Sequence, residues 1–571
     1  MRTLPLASLA VIAAATLIAA DRPSPPTHRV SLNGHTFTLP VGFTVEVAAK
    51  APQVLRPIVA DFDEQGRLYV ADSSGSNAPV AEQVRTRPHR IVRLEDSDGD
   101  GVFDRQTVFA DRMMFPEGVM WLDGSLYVAA PPSIWKLTDR DGDGVAEVRA
   151  EWFQGKTLTG CANDLHGPYA GPDGWIYWCK GAFAEQRYKR PGKPDFVTKA
   201  SHIFRCRPDG SGLEAVMTGG MDNPVDVTFT ASGERIFTTT FFQHPAGGQR
   251  DGLIHAVYGA VYGKDHAVVY DHPWTAPTLM PVLTHMGPAA PAGLTRYESA
   301  AFGADYRDNL FAVQFNLQKV SRHVLTPAGA TYRSHDSDFL VSDNRDFHPT
   351  DVIEDADGSL LVVDTGGWYK LCCPTSQLVK PDVFGAIYRV RRTGAARVAD
   401  PRGRTIDWST ATADHLARML GDPRPAVARR AVAALGKQGT KAVPAIERVL
   451  RDGDVHGAER GCGPPPAWTP PRAARRCGRR WRTATTRYGR WALHAVSLHR
   501  DRDAVPVLRC CSPARRSTTG ASPPRRSAAS ATPAACRRCS TRSPPMRIAF
   551  WIIRSPTRCW RLATPRRCAR G

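Results

Sequence analysis

The sequence predicts an all-β, six-bladed β-propeller followed by a short α-helical segment. Three observations lead there. First, a phrase in which one residue precedes proline and a strand like Gly-x-[Leu/Ile]-[Tyr/Phe] follows recurs six times between residues 56 and 364, the fifth copy lacking the glycine and reading Arg307-Asp308-Asn309-Leu310-Phe311. Second, its openings are evenly spread: Arg56-Pro57, Phe115-Pro116, His166-Gly167-Pro168, Asn223-Pro224, Ala290-Pro291 and His348-Pro349 lie 59, 51, 57, 67 and 58 residues apart. Each unit is long enough for four short strands with turns, the content of one blade. Third, beyond residue 411 the apolar residues change from a strand-like to a helical period.

In chain order, residues 1–20 read as a signal peptide. Arg2 supplies the positive end, Leu4 to Ala20 the apolar run, and Ala19-Ala20 a small-residue cleavage site. No Cys follows that site and no second apolar run of spanning length appears, so the mature chain is expected to be exported, periplasmic or in the cell envelope, without a membrane span. Residues 21–44 read as a Pro-containing lead-in and 45–393 as the propeller, closing with Gly385 to Val390. A polar linker covers 394–410. In 411–455, Leu416, Leu420, Val427, Ala431, Ala434 and Leu435 share one helical face, and Val443, Ile446, Val449 and Leu450 begin another. This is the pattern of a HEAT-like helical repeat, which needs stacked neighbours.

The formal charge of +20 invites a nucleic-acid partner, and its distribution removes that reading. Residues 456–571 hold 26 of the 75 basic residues, all Arg, and three of the 55 acids; the rest carries 49 basic against 52 acidic residues. The tail also holds eight of the thirteen Cys and almost no periodicity. We read it as a shifted reading frame after about Val455, with an in-frame helical island at 491–508, and resequencing the gene tests this. No function is assigned to it.

Two acidic loops are the sharpest local motifs. Asp96, Asp98, Asp100 and Asp104 share the spacing D-x-D-x-D-G-x-x-[D/E] with Asp139, Asp141, Asp143 and Glu147. Alternate carboxylates around a turn glycine suit a hard cation such as calcium, while Thr107 and Ala150 stand where an EF-hand would place its bidentate Glu. The plain reading is an Asp/Gly turn joining outer strands. Both loops sit between the repeated phrases, so a structural metal role is expected.

The second constellation is the funnel rim. The start of an innermost strand and the end of its antiparallel neighbour lie on one face of a blade. The starts supply Arg56, Phe115, Asp164, His166, Asp222, Asn223 and His348; the ends supply Asp72, Lys180, Gln243, His244 and Asp364, with Trp368, Tyr369 and Lys370 beyond. His285 precedes the fifth opening and Arg296 follows it. Such a set offers a base, an orienting acid and cations for an anionic ligand, although any single member reads first as a loop hydrogen-bonder and only second as a catalyst.

Among the cysteines, Cys372-Cys373 allows a vicinal disulfide or separate partners, Cys161 and Cys179 flank one hairpin and allow a pair, and Cys206 reads as a free thiol. Cys536-Arg537-Arg538-Cys539-Ser540 lacks the His of a haem attachment box, so no haem is expected in this chain.

The run Arg93 to Gly101, His166-Gly167-Pro168-Tyr169 leading to Gly171-Pro172-Asp173-Gly174-Trp175-Ile176-Tyr177, Met221 to Val225 and Asp364-Thr365-Gly366-Gly367-Trp368-Tyr369 resemble a bacterial membrane-bound dehydrogenase family over about 45 to 455. Its members look like six-bladed propellers related to soluble quinoprotein glucose and sorbosone dehydrogenases, with HEAT-like repeats and often a C-terminal c-type haem domain. The resemblance implies pyrroloquinoline quinone (PQQ) aided by calcium, and a sugar or other alcohol as substrate. It makes His166 the general base, with His348 and Asp364 as further catalytic candidates. Arg56, Lys180, Asn223, Arg296 and Lys370 would hold the quinone carboxylates. Because the haem domain is absent, electrons would pass to a separate acceptor such as a cytochrome. Two other classes stay open. One is a non-catalytic propeller binding glycans or proteins in the cell envelope. The other is a metal-dependent lactonase using Glu117, Asn223 and Asp226 or Asp364.

Overall fold

The computed structural model describes residues 25–155, 158, 165–190, 192–240, 249–265, 267–274, 276–370 and 377–452. The signal-peptide region, Cys161, Asp164, Gln243, His244, Cys372, Cys373 and the Arg-rich tail lie outside these residues.

Six antiparallel sheets of four principal strands surround one axis. Their innermost strands are Pro57–Phe62, Gly118–Leu122, Leu165–Ala170, Asn223–Phe229, Pro291–Arg296 and Pro349–Glu354. Neighbours in this series touch, and the sixth touches the first, which closes the ring. Each repeated X-Pro phrase sits at or just before the start of an innermost strand. Proline suits that place because it has no N–H to offer a ladder. Register shifts after Pro57, His166, Pro224, Pro291 and Pro349 mark a bulge near the start of five of these strands.

The second strands explain the other half of the phrase. Leu68–Asp72, Ser125–Ala130, Ile176–Lys180, Leu310–Gln314 and Leu360–Asp364 are buried throughout. A strand covered on both faces needs apolar residues without alternation. The turn before it needs a left-handed residue: Gly66, Gly124, Gly174, Gly233 and Gly358 all have positive φ, and in the fifth blade Asp308 takes that conformation at φ 63°. This is why the fifth copy dispenses with its glycine.

Between adjacent blades lies an apolar layer. Val70, Val92 and Leu94 of the first blade, for instance, pack on Leu361, Val363 and Ile387 of the sixth. The ring is closed by the N-terminal strand Phe43–Lys50, which pairs along Ala386–Arg392 as the outermost strand of blade six. This corrects two expectations. Gly385 to Val390 belongs to the third strand of that blade, and the propeller begins before residue 45. The lead-in contains regular structure. Thr27–Leu32 and His35–Pro40 form a hairpin whose second strand pairs with Thr331–Ser342 of blade five (Phe37↔Ser342, Thr38↔Val341).

Helices Ala413–Met419, Pro425–Gln438 and Val443–Asp452 follow the ring. Leu416, Leu420, Val427, Ala431, Leu435 and Ile446 form their common core, as the helical period predicts. Ion pairs attach them to the propeller: Arg429 to Glu298 at 2.6 Å and Lys437 to Asp123 at 2.8 Å, while Arg402 of the preceding linker meets Asp355 at 2.6 Å. No helix among the described residues is long and apolar enough to cross a membrane.

Candidate functional site

The two faces of the ring differ in how much chain they carry. On the face where innermost strands begin, the connections between second and third strands are long in blades one, three and six, and their described residues are 73–88, 181–190, 192–200, 365–370 and 377–385. The first holds helix Val80–Thr86 and the third-blade connection holds the hairpin Gln186–Arg190 with Lys193–Thr198. These insertions raise a wall around the axis, the usual place for grafted function.

On this rim the end of a buried second strand fixes the opening of its own blade. Asp72 accepts the amides of Leu55 and Arg56 at 3.0 and 2.8 Å, and its other oxygen accepts Nε and Nη2 of Arg90 at 2.9 and 2.7 Å. Asp364 accepts the amides of His348 and Gly366 at 2.7 and 3.0 Å, and burial pushes its carboxyl up to about 7. Nδ1 of His348 donates to the Gly366 carbonyl at 2.7 Å, and its ring packs on Phe315 and Tyr369. Burial lowers its basicity. Asp364 therefore holds backbone rather than the His348 ring.

His166 lies beside a different acid. Its Nδ1 stands 3.9 Å from Oε2 of Glu117, which is 6% exposed and comes from the opening of blade two. Leu165 and Lys180 are paired in register, so the buried Lys180 ends at the level where His166 begins. Asn223 opens blade four opposite Thr240 on the same face.

The donors here suit a carboxylate-bearing ligand. Arg56 is buried; Nη2 donates to the Pro381 carbonyl at 2.9 Å, and its buried Nε has no hydrogen-bond partner. Asp72 is committed to Arg90, and among the described residues no carboxylate pairs with Arg56. Gly75 lies against the guanidinium: a Cβ there would stand 3.0 Å from Nε. An orphaned charged donor in such a cradle fits an anionic group.

One expectation about placement changes. Arg296 is at the far end of its strand, where it pairs with Asp308 at 2.6 Å and with Glu298, so it does not share the rim with Arg56, Lys180 and Asn223. Five residues of extended strand separate it from the opening, roughly 16 Å. Cys179 is a buried thiol whose basicity burial raises, and Cys161, its candidate partner, lies outside the described residues. Cys206 is free and buried. Lys370 ends the strand Trp368–Lys370 beside this rim. Of the lactonase ligand set, Glu117, Asn223 and Asp364 are on the rim, whereas Asp226 lies deeper, its Oδ2 accepting the Leu294 amide at 2.7 Å.

The acidic loops are on the opposite face. In the second, one oxygen each from Asp139, Asp141, Asp143 and Glu147 come within 4.8 Å of one another; in the first, Asp96, Asp98 and Asp100 do. Asp104 stays outside that group, accepting the Ser97 amide at 3.0 Å and its hydroxyl. Also on this side is a cavity of about 790 Å³, roofed by the helices and lined by Trp121, Tyr169, Asp61, Asp226, Asp351 and Glu354. Burial pushes Asp61 up to about 6, Asp351 and Glu354 to about 7, and Asp226 well above the usual range.

Sequence reasoning took Glu117 only as a metal ligand and passed over Arg90 and Gly75. Their contacts join separate stretches of chain, and no local pattern marks them.

In fold, the chain is similar to the holo PQQ domain of pyranose dehydrogenase from Coprinopsis cinerea (13% identity, TM-score 0.42, covering 65% of this chain and 99% of that one). It is also similar to the PQQ-bound aldose sugar dehydrogenase from Streptomyces coelicolor (15%, 0.41, 62% and 100%). A third likeness is the calcium structure of a Carbohydrate-Active Enzymes family AA12 protein from Trichoderma reesei (11%, 0.43, 65% and 98%). No curated protein matches the chain. The family described as "Domain of unknown function (DUF7133)" matches residues 30–398, the ring with most of its N-terminal hairpin and its closing strand, and the chain belongs to that family.

Proposed function

We propose that this protein is an exported dehydrogenase that oxidises a sugar or other alcohol at the walled rim, with PQQ as cofactor. The observation that carries the reading is the pairing of His166 with buried Glu117, on the same rim as a buried Arg56 whose Nε lacks an acceptor. Glu117 faces Nδ1, which favours a proton there and leaves Nε2 to take the proton of a substrate hydroxyl. The developing imidazolium is stabilised by the same carboxylate. Arg56, Lys180, Asn223 and Lys370 would hold the quinone carboxylates. When bound, the quinone supplies the two-electron acceptor for the hydride leaving the substrate carbon. A separate protein such as a cytochrome then takes the electrons. Calcium in the acidic loops has a structural part.

Titration of the full chain with PQQ and calcium, followed by the cofactor's absorbance and by dye reduction with a panel of sugars, tests the proposal. Saturable binding with turnover is expected. His166→Ala should bind the cofactor and lose turnover by about 10²–10⁴-fold, the worth of a general base. A folded, calcium-replete protein that binds no quinone would leave glycan binding without catalysis as the better reading.

A further inference from the structure

The second strands of blades one and six end in the same pair of residue types, Asp72-Ser73 and Asp364-Thr365. The aspartates do the same work, accepting the amide of Arg56 and of His348 at the opening of their own blades. The next amides also match, Ser73 donating to the Arg56 carbonyl at 2.9 Å and Thr365 to the His348 carbonyl at 3.2 Å. Only the hydroxyls differ. Oγ of Ser73 accepts the Gly75 amide at 3.0 Å and lies 3.3 Å from Nδ1 of His89. Oγ1 of Thr365, in a residue 1% exposed, is buried with no hydrogen-bond partner among the described residues. Valine has the same shape without a hydroxyl to leave unpaired, so the fold gives no reason for threonine at this corner.

The corner faces Arg56. Along Leu360–Asp364, Leu361 and Val363 pack toward blade one, whereas Leu360 and Val362 pack toward blade five. Strand alternation therefore puts Thr365 on the side of blade one. From that side Arg56 reaches across to blade six, with Nη2 on the Pro381 carbonyl at 2.9 Å and the guanidinium carbon 5.2 Å from the centre of the Phe384 ring. Gly385 touches both residues' surroundings: its amide donates to the Leu55 carbonyl at 2.8 Å, and a Cβ on it would stand 2.8 Å from the carbonyl carbon of Thr365. The seam between the two blades thus holds two unpaired donors, Nε of Arg56 and Oγ1 of Thr365. A guanidinium and a hydroxyl side by side are matched by a carboxylate, which accepts from both. Arg56 keeps 7% of its surface open to the rim, and a threonine hydroxyl swings about a single torsion to meet what arrives there. We propose that Thr365 is a ligand-binding residue of the rim, giving its hydroxyl to a carboxylate that Arg56 also holds. The carboxylate is that of the quinone or of an acidic sugar such as a uronate. This rests on the reading of the rim as the ligand site.

The test is calorimetric binding of PQQ and of glucuronate to the full chain, with thermal unfolding of the ligand-free protein measured in parallel. Thr365→Val is expected to weaken the carboxylate that binds by about tenfold, the worth of one hydrogen bond to a charged group. It should keep the melting midpoint equal or raise it, and Thr365→Ser should retain the affinity. The loss should shrink in an Arg56→Gln background, because both donors serve one carboxylate. A loss for PQQ assigns the pair to the quinone, and a loss for glucuronate alone assigns it to an acidic sugar. Binding that Thr365→Val leaves unchanged, or a lowered midpoint in Thr365→Val, would overturn the role of Thr365 and leave the dehydrogenase reading standing. A wild-type protein that binds neither compound overturns both.

Discussion

Arg93 of the first blade lies against Gly144 in the acidic loop of the second. A Cβ on Gly144 would stand 2.5 Å from the guanidinium carbon, and Nη1 of the same arginine is 3.8 Å from Asp139. The first acidic loop repeats the arrangement one blade earlier. Its Gly101 carbonyl accepts Nε of Arg389 from blade six at 3.0 Å, and a Cβ on Gly101 would meet Arg391 at 2.5 Å. The glycine of each motif therefore turns the loop and also lets it seat on the arginines of the preceding blade.

Gly144→Ala should accordingly destabilise the protein by about 1–3 kcal/mol, combining a positive φ with displacement of a buried guanidinium. Gly142, at φ 82° with open space around it, supplies the control. Gly142→Ala should cost only the backbone part, of order 1 kcal/mol. Urea unfolding of the two variants separates these contributions.

The same loops are expected to bind calcium at two sites. Saturation at about 100 times Kd should add about 2.7 kcal/mol of stability per site, and chelation should remove it. Because four carboxylates gather in the second loop and three in the first, Glu147→Gln should weaken its site more than Asp104→Asn weakens the other. Calcium titration by calorimetry reads both.

Stability should fall as pH rises from about 4 to 7. Asp61, Asp351, Glu354 and Asp364 are pushed up to about 6 to 7 by burial, from usual values of 3.8 and 4.5. In this window the folded chain keeps protons that the unfolded chain releases, so the contribution is full below about pH 4 and lost as pH passes 7. A difference on the order of a few kcal/mol between pH 5 and pH 8 follows, since one pKa unit is about 1.4 kcal/mol. Urea midpoints at the two pH values measure it, and Asp351→Asn should reduce it.

The repeats were legible because each blade restates its own local rule: proline where an inner strand begins, glycine where the hairpin turns, apolar residues where the second strand is covered twice. The closing strand restates nothing. Phe43–Lys50 carries no repeated phrase, and its partner Ala386–Arg392 is some three hundred residues away in the chain. The hairpin before it was legible, since Asn33-Gly34 between two alternating strands is a strong turn signal, and both residues take positive φ. At the site, strand polarity put Arg56, Lys180, Asn223 and His348 on one face. Arg296 fell on the other because a residue five positions into a strand is at its far end. The His166–Glu117 pair arises between adjacent blades and has no local signature.

The closing strand also sets an order of events. Phe43–Lys50 leaves the ribosome before every blade phrase, yet the edge it covers is finished only with Arg392. Until then the ring is an open crescent with bare strand edges at both ends, and its slowest contacts join the most distant parts of the sequence. Loss of a few residues from either end of the ring would therefore unzip the same sheet.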